Sequence, residues 1–369
     1  MTAALLSAAL LASPHGWTLQ RARHVLASKT YEITDTTQPD APTYQLSFSP
    51  SATRSLSRDF TFAGVARDTL TDSDISVRFA FRSPGRIVTF RGPPADTTQP
   101  AFPITAAFYY AWYPEAWFRD PVYPYSLFHP SLDYYSDADA RVVREHTDAL
   151  LYAHLDAGIY SWWGRDGYPP TDQRFWRYLA AARTTPLRWA LYYEREGYSD
   201  PSVATIRSDL EYIRDRYAVQ PAYLKVDGRF VVYVYGDAGD GCDTAARWHE
   251  ANTVGAYIVL KAFAGFRDCA AQPDAWHQYS AALPEYDLVP DSFMIAPGFD
   301  ERAEGAPRLS RDVERWRTDV GDMVASQARW QLVLSFNEWP EGTSVESARE
   351  WASPSGYGSY LDALHELLP

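Results

Sequence analysis

Ala106-Ala107-Phe108-Tyr109-Tyr110-Ala111 is an uncharged run, and Trp112-Tyr113-Pro114 follows it where a nucleotide-binding fold would carry a glycine-rich turn. An apolar run of this length reads as a strand buried on both faces. Without glycines to admit a phosphate after that strand, a doubly wound sheet is the poorer reading. Comparable runs recur at Gly158–Trp163, Arg188–Tyr193, Phe230–Tyr235, Ala256–Lys261, Ser280–Pro284, Phe293–Ala296 and Gln331–Phe336. Helical spacings separate most of them. Between Asp137 and Asp156, Val142, Val143, His146, Leu150 and Leu151 fall on one face behind an Asp cap. Asp200 to Tyr217, Thr244 to Ala251, Ser310 to Ala325 and Gly356 to Leu368 follow the same pattern. The alternation predicts an α/β fold, a (β/α)8 barrel over residues 104–369, close to the usual ~250 residues of that architecture.

Upstream, the texture differs. Residues 1–35 read as a signal-like or helical N-terminus, because Ala3 to Ala12 is rich in Leu. No basic residue precedes that run, so a buried helix is an equal reading. Residues 36–92 read as a small β-rich accessory module. A loop rich in Thr, Pro and Ser runs to Ser55, and strand patterns follow at Phe60–Phe62, Ile75–Phe81 and Ile87–Phe90. Gly92 to Pro100 has the prolines of a stiff linker.

Composition narrows the partners. Lys plus Arg number 34 against 47 Asp plus Glu, a net charge of −13 that opposes binding to nucleic acid or anionic membranes. No apolar run reaches the ~18 residues of a membrane span. Hydrophobic residues at 46% and charged residues at 22% describe a globular chain. The aromatic share is 15%, with 13 Trp and 26 Tyr, enough to furnish a surface on which sugar rings could stack. Cys242 and Cys269 follow neighbouring predicted strands, so a disulfide between them is geometrically open and would fit a secreted, extracellular protein.

Barrel chemistry gathers at the C-terminal ends of the strands. Those ends read Tyr109-Tyr110-Ala111-Trp112-Tyr113, Tyr160-Ser161-Trp162-Trp163, Tyr192-Tyr193-Glu194-Arg195-Glu196, Tyr233-Val234-Tyr235 and Ser335-Phe336-Asn337-Glu338-Trp339-Pro340-Glu341. Rings and acids on one rim describe a sugar site, in which Tyr110, Tyr113, Trp162, Trp163, Glu194, Tyr235, Asn337 and Trp339 are expected to bind substrate. Glu338 and Glu341 are the expected catalytic pair. Glycoside hydrolysis uses two carboxyl groups, and two close buried acids would raise one pKa into the range of a usable acid. No metal motif, nucleophile elbow or phosphate loop appears, so no cofactor and no metal are expected. Of the scattered histidines, His129 is the one placed nearest the rim. The expected partner is an oligo- or polysaccharide, and the oligomeric state stays open.

These residues resemble glycoside hydrolase family 99, the endo-α-1,2-mannosidases and endomannanases. The matching stretches are Phe108 to Tyr113, Ser161-Trp162-Trp163-Gly164, Pro221 to Arg229 and, most specifically, Ser335 to Glu346. The resemblance implies retaining endo-cleavage of α-mannosides through a 1,2-anhydro sugar. In that scheme Glu338 takes the proton of the sugar 2-hydroxyl, Glu341 acts as general acid and then base, and Glu194 binds the sugar. Two positions depart from the family pattern. Pro340 stands where His is usual, and Glu194-Arg195-Glu196 replaces Glu-Pro-Tyr. A non-catalytic glycan-binding barrel and a glycosyl-transferring enzyme of polysaccharide assembly are the alternatives.

Overall fold

The computed structural model describes residues 95–369 apart from 281 and 283–285, together with the backbone of seven strands between residues 17 and 91. It divides into two compact units, Met1–Asp96 and Thr97–Pro369. In the first unit, β1 (Trp17–Val25), β4 (Ser57–Asp59), β5 (Arg67–Thr71) and β6 (Ile75–Phe81) form an antiparallel sheet in the order β1-β6-β5-β4. A second antiparallel sheet has β2 (Lys29–Asp35) between β3 (Thr43–Phe48) and β7 (Val88–Arg91). The first described strand starts at Trp17, inside the segment read as signal-like or helical, and β3 lies in the stretch read as loop. The Leu-rich run Ala3–Ala12 and the pattern Phe60–Phe62 lie outside the described residues.

The second unit is a nearly closed barrel of parallel strands, with helices in most of the connections. In chain order the strands are β8 (Ile104–Tyr109), β9 (Ala157–Trp162), β10 (Arg188–Tyr193), β12 (Arg229–Val234), β13 (Tyr257–Lys261), β14 (Ala275–His277), β15 (Ser292–Ile295) and β16 (Trp330–Val333). Parallel ladders join them from β8 through β14 and from β15 through β16 back to β8. The hydrogen-bonded path has its ends at β14 and β15. A short β11 (Lys225–Val226) pairs antiparallel with β12 across Asp227-Gly228, both at positive φ (50° and 77°), the geometry of a two-residue hairpin turn.

Helices fill the crossovers: α1 (Ala140–Tyr152), α2 (Thr171–Ala182), α3 (Glu196–Ser199), α4 (Val203–Arg216), α5 (Cys242–Ala251), α6 (Val313–Ser326) and α7 (Ser359–Leu367). The expected Asp cap is Asp139, whose carboxylate accepts from the Arg141 amide. Between β13 and β14 the chain makes only a 3-10 turn, Phe266–Asp268. One expected strand moves. The sixth is Ala275–His277 rather than Ser280–Pro284, of which Ser280 and Ala282 belong to no strand. Three residues without a β-branched side chain leave no strand signature, whereas the apolar residues beyond them imitated one.

Strand alternation sorts the core into two layers. Ile104, Ala106, Phe108 and Tyr110 point into the barrel with Ile159, Tyr192, Tyr233, Val259 and Leu332. Ala107 and Tyr109 point outward, to pack with Tyr160, Tyr178, Trp189 and Phe336 under the helices. The outer layer is tight at Gly158, where an added Cβ would lie 2.1 Å from the Trp189 ring.

Candidate active site

The closing run is folded back on itself. Ser335 donates its amide to the Thr343 carbonyl (2.9 Å), and its hydroxyl accepts the Glu338 amide at 2.7 Å. Thr343 returns a bond to the Glu338 carbonyl and Gly342 one to Trp339. Gly342 sits at φ 63°, and a Cβ there would lie 2.7 Å from the Asp300 carbonyl, so the turn needs glycine. The Asp300 amide in turn donates to the Glu341 carbonyl at 2.9 Å.

Side chains beneath pin this turn to the barrel. The Asn337 amide accepts from Tyr110 N and donates to Tyr110 O, both at 2.8 Å, tying the end of β8 to the residue before Glu338. Tyr113 donates its hydroxyl to the Asn337 carbonyl (2.8 Å) and accepts the Trp339 amide. The Trp339 indole N–H donates to Glu346 (3.0 Å), which also accepts from Tyr135 (2.7 Å) and meets His146 at 3.1 Å.

Glu194, Glu338 and Glu341 share one environment. Glu194 and Glu338 are 4% and 2% exposed. Each of the three has one buried carboxylate oxygen without a hydrogen-bond partner: Oε1 of Glu194, Oε2 of Glu338 and Oε2 of Glu341. Orphaned buried acceptors are expensive, and a cluster of them marks a site built for a ligand. Burial drives the Glu194 pKa up to about 8, with Glu341 adding to the rise while a Ser161 hydrogen bond and the Lys261 charge oppose it. Burial, then repulsion from Glu301, lifts Glu341 to about 7 against the pull of Arg308 and a Tyr279 hydrogen bond. Glu338 is raised well above the ordinary carboxylate range by burial and by Glu341.

Electrostatically coupled to these acids is a closed circuit of rings. Tyr110 stacks on Trp112 (4.6 Å between centroids), Trp112 meets Trp163 (6.4 Å), and Trp163 meets Tyr198 (4.9 Å). Tyr198 meets Tyr235 (6.0 Å), Tyr235 meets Tyr279 (5.8 Å), and the Tyr279 hydroxyl bonds that of Tyr110. The acids act on the circuit's own tyrosines. Glu194 raises the pKa of Tyr110, Tyr198 and Tyr235, and Glu338 and Glu341 both raise those of Tyr198 and Tyr279. Lys261, over the Tyr235 ring at 4.7 Å, donates to the Gly236 carbonyl at 2.7 Å. The Tyr192 hydroxyl, buried beside Tyr235 and Tyr279, has no partner among the described residues.

Of the residues expected at the site, Tyr110, Trp163, Glu194, Tyr235, Glu338 and Glu341 come together. Tyr113, Trp162, Asn337 and Trp339 do not face the cleft. Each has 0% exposure and spends its polar atoms on protein, Trp162 on Asp172 (2.8 Å), so direct sugar contact gives way to a role in holding the motif. His129 is exposed and bonded to Glu350, while the buried histidines are His146, beside Glu346, and His277 at the end of β14, whose ring meets that of Tyr192. Trp112, Tyr192, Tyr198, Lys261 and Tyr279 went unpredicted. Trp112 and Tyr192 lay in strand-end runs already singled out and Lys261 closed a predicted strand whose end was not, whereas Tyr279 follows the strand that was misplaced. Cys242 and Cys269 form a disulfide, Cα atoms 5.1 Å apart. Among the described residues, the acids close enough to share a cation are Glu196, Asp200 and Asp240, but Glu196 is taken by Arg247 and Trp248 and Asp240 by Thr244.

Comparison with known proteins supplies a context for this geometry. Residues 120–256 match the glycosyl hydrolase family 99 sequence profile, a span that holds Trp163, Glu194 and Tyr235 and ends before the closing run. No curated protein matches the sequence. The family 99 endo-α-mannosidase of Bacteroides thetaiotaomicron, solved with bis-tris-propane, superimposes with a TM-score of 0.59 at 19% identity, covering 73% of this chain and 97% of that one. Its structure without that molecule gives 0.57 at the same identity and coverage. A glycoside hydrolase-like protein aligns at 0.54 and 17% identity over 74% of this chain and 95% of its own. The profile match takes in two of the stretches that carry the family resemblance, 161–164 and 221–229, the barrel fold agrees with it, and the chain is a glycoside hydrolase resembling family 99.

Proposed function

We propose that the protein is a retaining, endo-acting hydrolase of α-mannoside-like glycans, with Glu338 and Glu341 as its catalytic pair and Glu194 holding the sugar. The observation that carries this reading is the trio of carboxylates, each with a buried oxygen lacking a partner, coupled to a circuit of rings. Rings stack on the apolar face of a pyranose, and the free oxygens accept its hydroxyl protons.

Glu338 as carboxylate takes the proton of the 2-hydroxyl, and O2 attacks C1 from the face opposite the leaving group. The C1–O bond breaks as Glu341 gives its proton to the departing oxygen, leaving a 1,2-anhydro sugar. Water then loses a proton to Glu341 and attacks C1, while Glu338 returns its proton to O2. Two inversions give net retention, and both acids end as they began. The pair must hold one proton, on Glu341, at the moment of attack. Mutual repulsion discourages double ionisation near neutrality, which keeps that proton in the cleft. Pro340, unable to donate or ionise, stands between them and leaves the proton traffic to the two acids.

The test is the release of reducing ends from a panel of α-mannans. Glu338→Gln and Glu341→Gln are each expected to lose at least about 100-fold in kcat with an unchanged circular-dichroism spectrum. Near-wild-type hydrolysis by either variant rules out the mechanism. Glycan binding without reducing ends, even from the wild-type chain, supports the binding-barrel alternative. The Cys242–Cys269 disulfide supports an extracellular site of action.

A further inference from the structure

The turn that carries Glu338 and Glu341 is held from outside its own run by a buried cation. Arg311 ends the loop that follows β15, directly before Asp312, the cap of α6 whose carboxylate accepts the Arg315 amide. Its Nη2 donates to the Gly342 carbonyl at 3.0 Å and also to the Ser344 carbonyl. The Glu341 carbonyl accepts from Asp300 and that of Thr343 from Ser335, so every carbonyl from Glu341 to Ser344 is engaged. Arg311 alone supplies two of those four bonds. The Asp300 amide comes from the same loop, which a bridge between Phe299 and Leu309 closes.

Rings hold the rest of the guanidinium. Its central carbon lies 4.0 Å from the Trp351 centroid, 4.8 Å from that of Tyr360 and 4.9 Å from that of Phe128, rings drawn from three separate segments. Nε and Nη1 are buried without a hydrogen-bond partner among the described residues. Burial draws the Arg311 pKa down to about 10, against the pull of Tyr360, Asp300 and Glu350, which leaves it charged at neutral pH. Ring faces and two carbonyl dipoles return only part of the cost of burying that charge, and an apolar side chain of like volume would fill the space more cheaply. What an apolar side chain cannot do is gather two carbonyls of the turn. The backbone also makes room for the arginine stem. A Cβ at Gly298 would lie 2.6 Å from Arg311 Cγ and 3.2 Å from the Leu309 carbonyl.

We infer that Arg311 is a positioning residue for Glu341: by holding the carbonyls on both sides of Thr343 it fixes the turn from which Glu341 projects, and with it the place of the acid relative to the leaving oxygen. The inference rests on the reading of Glu341 as the general acid. Lysine in its place would keep the charge but lose the planar fork, and a compact ammonium does not lie flat among three rings. An acid displaced by about 1 Å loses much of its effect on rate, and the loss falls on the step that needs its proton.

Single turnovers of two substrates by the full-length chain test it: an α-linked mannotetraose, and an aryl glycoside of α-mannotriose whose activated phenol leaves as the phenolate. Arg311→Lys and Arg311→Met are expected to lose at least about tenfold on the tetraose while keeping the aryl rate within about threefold of wild type. Should Arg311→Met fail to fold, Arg311→Lys and Phe128→Leu, which removes one wall of the cage at a half-buried position, are expected to show the same split. Gly158→Ala, which crowds the packing of β9 on β10 instead, is expected to keep both rates below its melting temperature, since lost stability alone does not separate the two substrates. Equal losses on both substrates, wild-type rates on both in Arg311→Lys, or the same split in Gly158→Ala overturn the inference and leave the catalytic pair standing. A wild-type chain that cleaves neither substrate overturns the catalytic reading and this inference with it.

Discussion

Three carboxyl groups held above their ordinary range make the site a source of instability as well as of chemistry. In the unfolded chain a glutamate ionises near pH 4.3. Folded Glu194 keeps its proton to about 8 and Glu341 to about 7. Between those limits the folded state binds more protons than the unfolded one, so stability is full below about pH 4 and declines as pH rises towards 8. Replacing either acid by its amide removes the ionisation. Glu194→Gln and Glu341→Gln are therefore expected to raise the melting temperature at pH 8 by a few degrees, on the order of 2 kcal/mol, with little change at pH 4.5. Equal shifts at both pH values would exclude this account. Activity follows the same proton. The pair must lose one of its two protons and keep the other, so kcat should rise through about pH 7 and fall on a basic limb at the higher pH where the second carboxyl ionises. With an aryl glycoside whose leaving group needs no acid, that limb should flatten, and Glu341→Gln should regain part of its first-step rate as a burst of released phenol.

At the scale of elements, close packing sets the tolerances. Gly158 in β9 lies under the Trp189 ring of β10, and a methyl group at 2.1 Å cannot be absorbed by a flexible side chain, because Trp189 is wholly buried. Gly158→Ala should destabilise the barrel by about 1–3 kcal/mol, read from denaturant midpoints at unchanged slope. The same packing explains what could be read from sequence. Strands buried on both faces appear as continuous apolar runs, so β8, β9, β10, β12, β13 and β16 were legible within a few residues. β14 was not, since Ala275-Trp276-His277 offers no run, and Tyr279 was lost with it. The Glu338–Glu341 turn was legible because strand ends announce chemistry in a barrel. The division of its rings into those lining the cleft and those beneath it was not. Tyr110 and Tyr113 read alike in sequence. The first emerges among the inward-facing rings of β8, whereas the second packs at 4.1 Å on Trp117 and bonds Asn337. Glu346 and His146 escaped notice for a related reason, because a buried pair that braces a motif has no spacing of its own.

For the whole molecule, the two units raise the question of what the barrel needs in order to stand alone. We propose the division of labour read from the sequence, an N-terminal β-rich accessory module and a C-terminal catalytic barrel. Both buried core clusters among the described residues lie within 104–368, as does every candidate site residue. Yet the barrel does not begin at Ile104. The Arg188 side chain, with 0% exposure at the start of β10, donates Nε to the Thr98 carbonyl at 2.6 Å and approaches the Thr98 hydroxyl at 3.3 Å. Gln99 bridges the Tyr223 carbonyl and the Lys225 amide, and Phe102 packs edge-on against Trp330 at 5.1 Å. Residues that compose as a proline-stiffened linker thus serve as a strap across the bottom of the barrel. A chain starting at Thr97 is expected to fold and to keep kcat/KM on soluble oligosaccharides within about twofold of the full chain. A chain starting at Ile104 strips the buried guanidinium of an acceptor and bares Trp330, and should lose about 3 kcal/mol or more. Thermal melts of the two truncations, made side by side, separate the readings. Equal stability would remove the strap, and lost activity in the longer one would make the N-terminal unit part of the catalytic machinery.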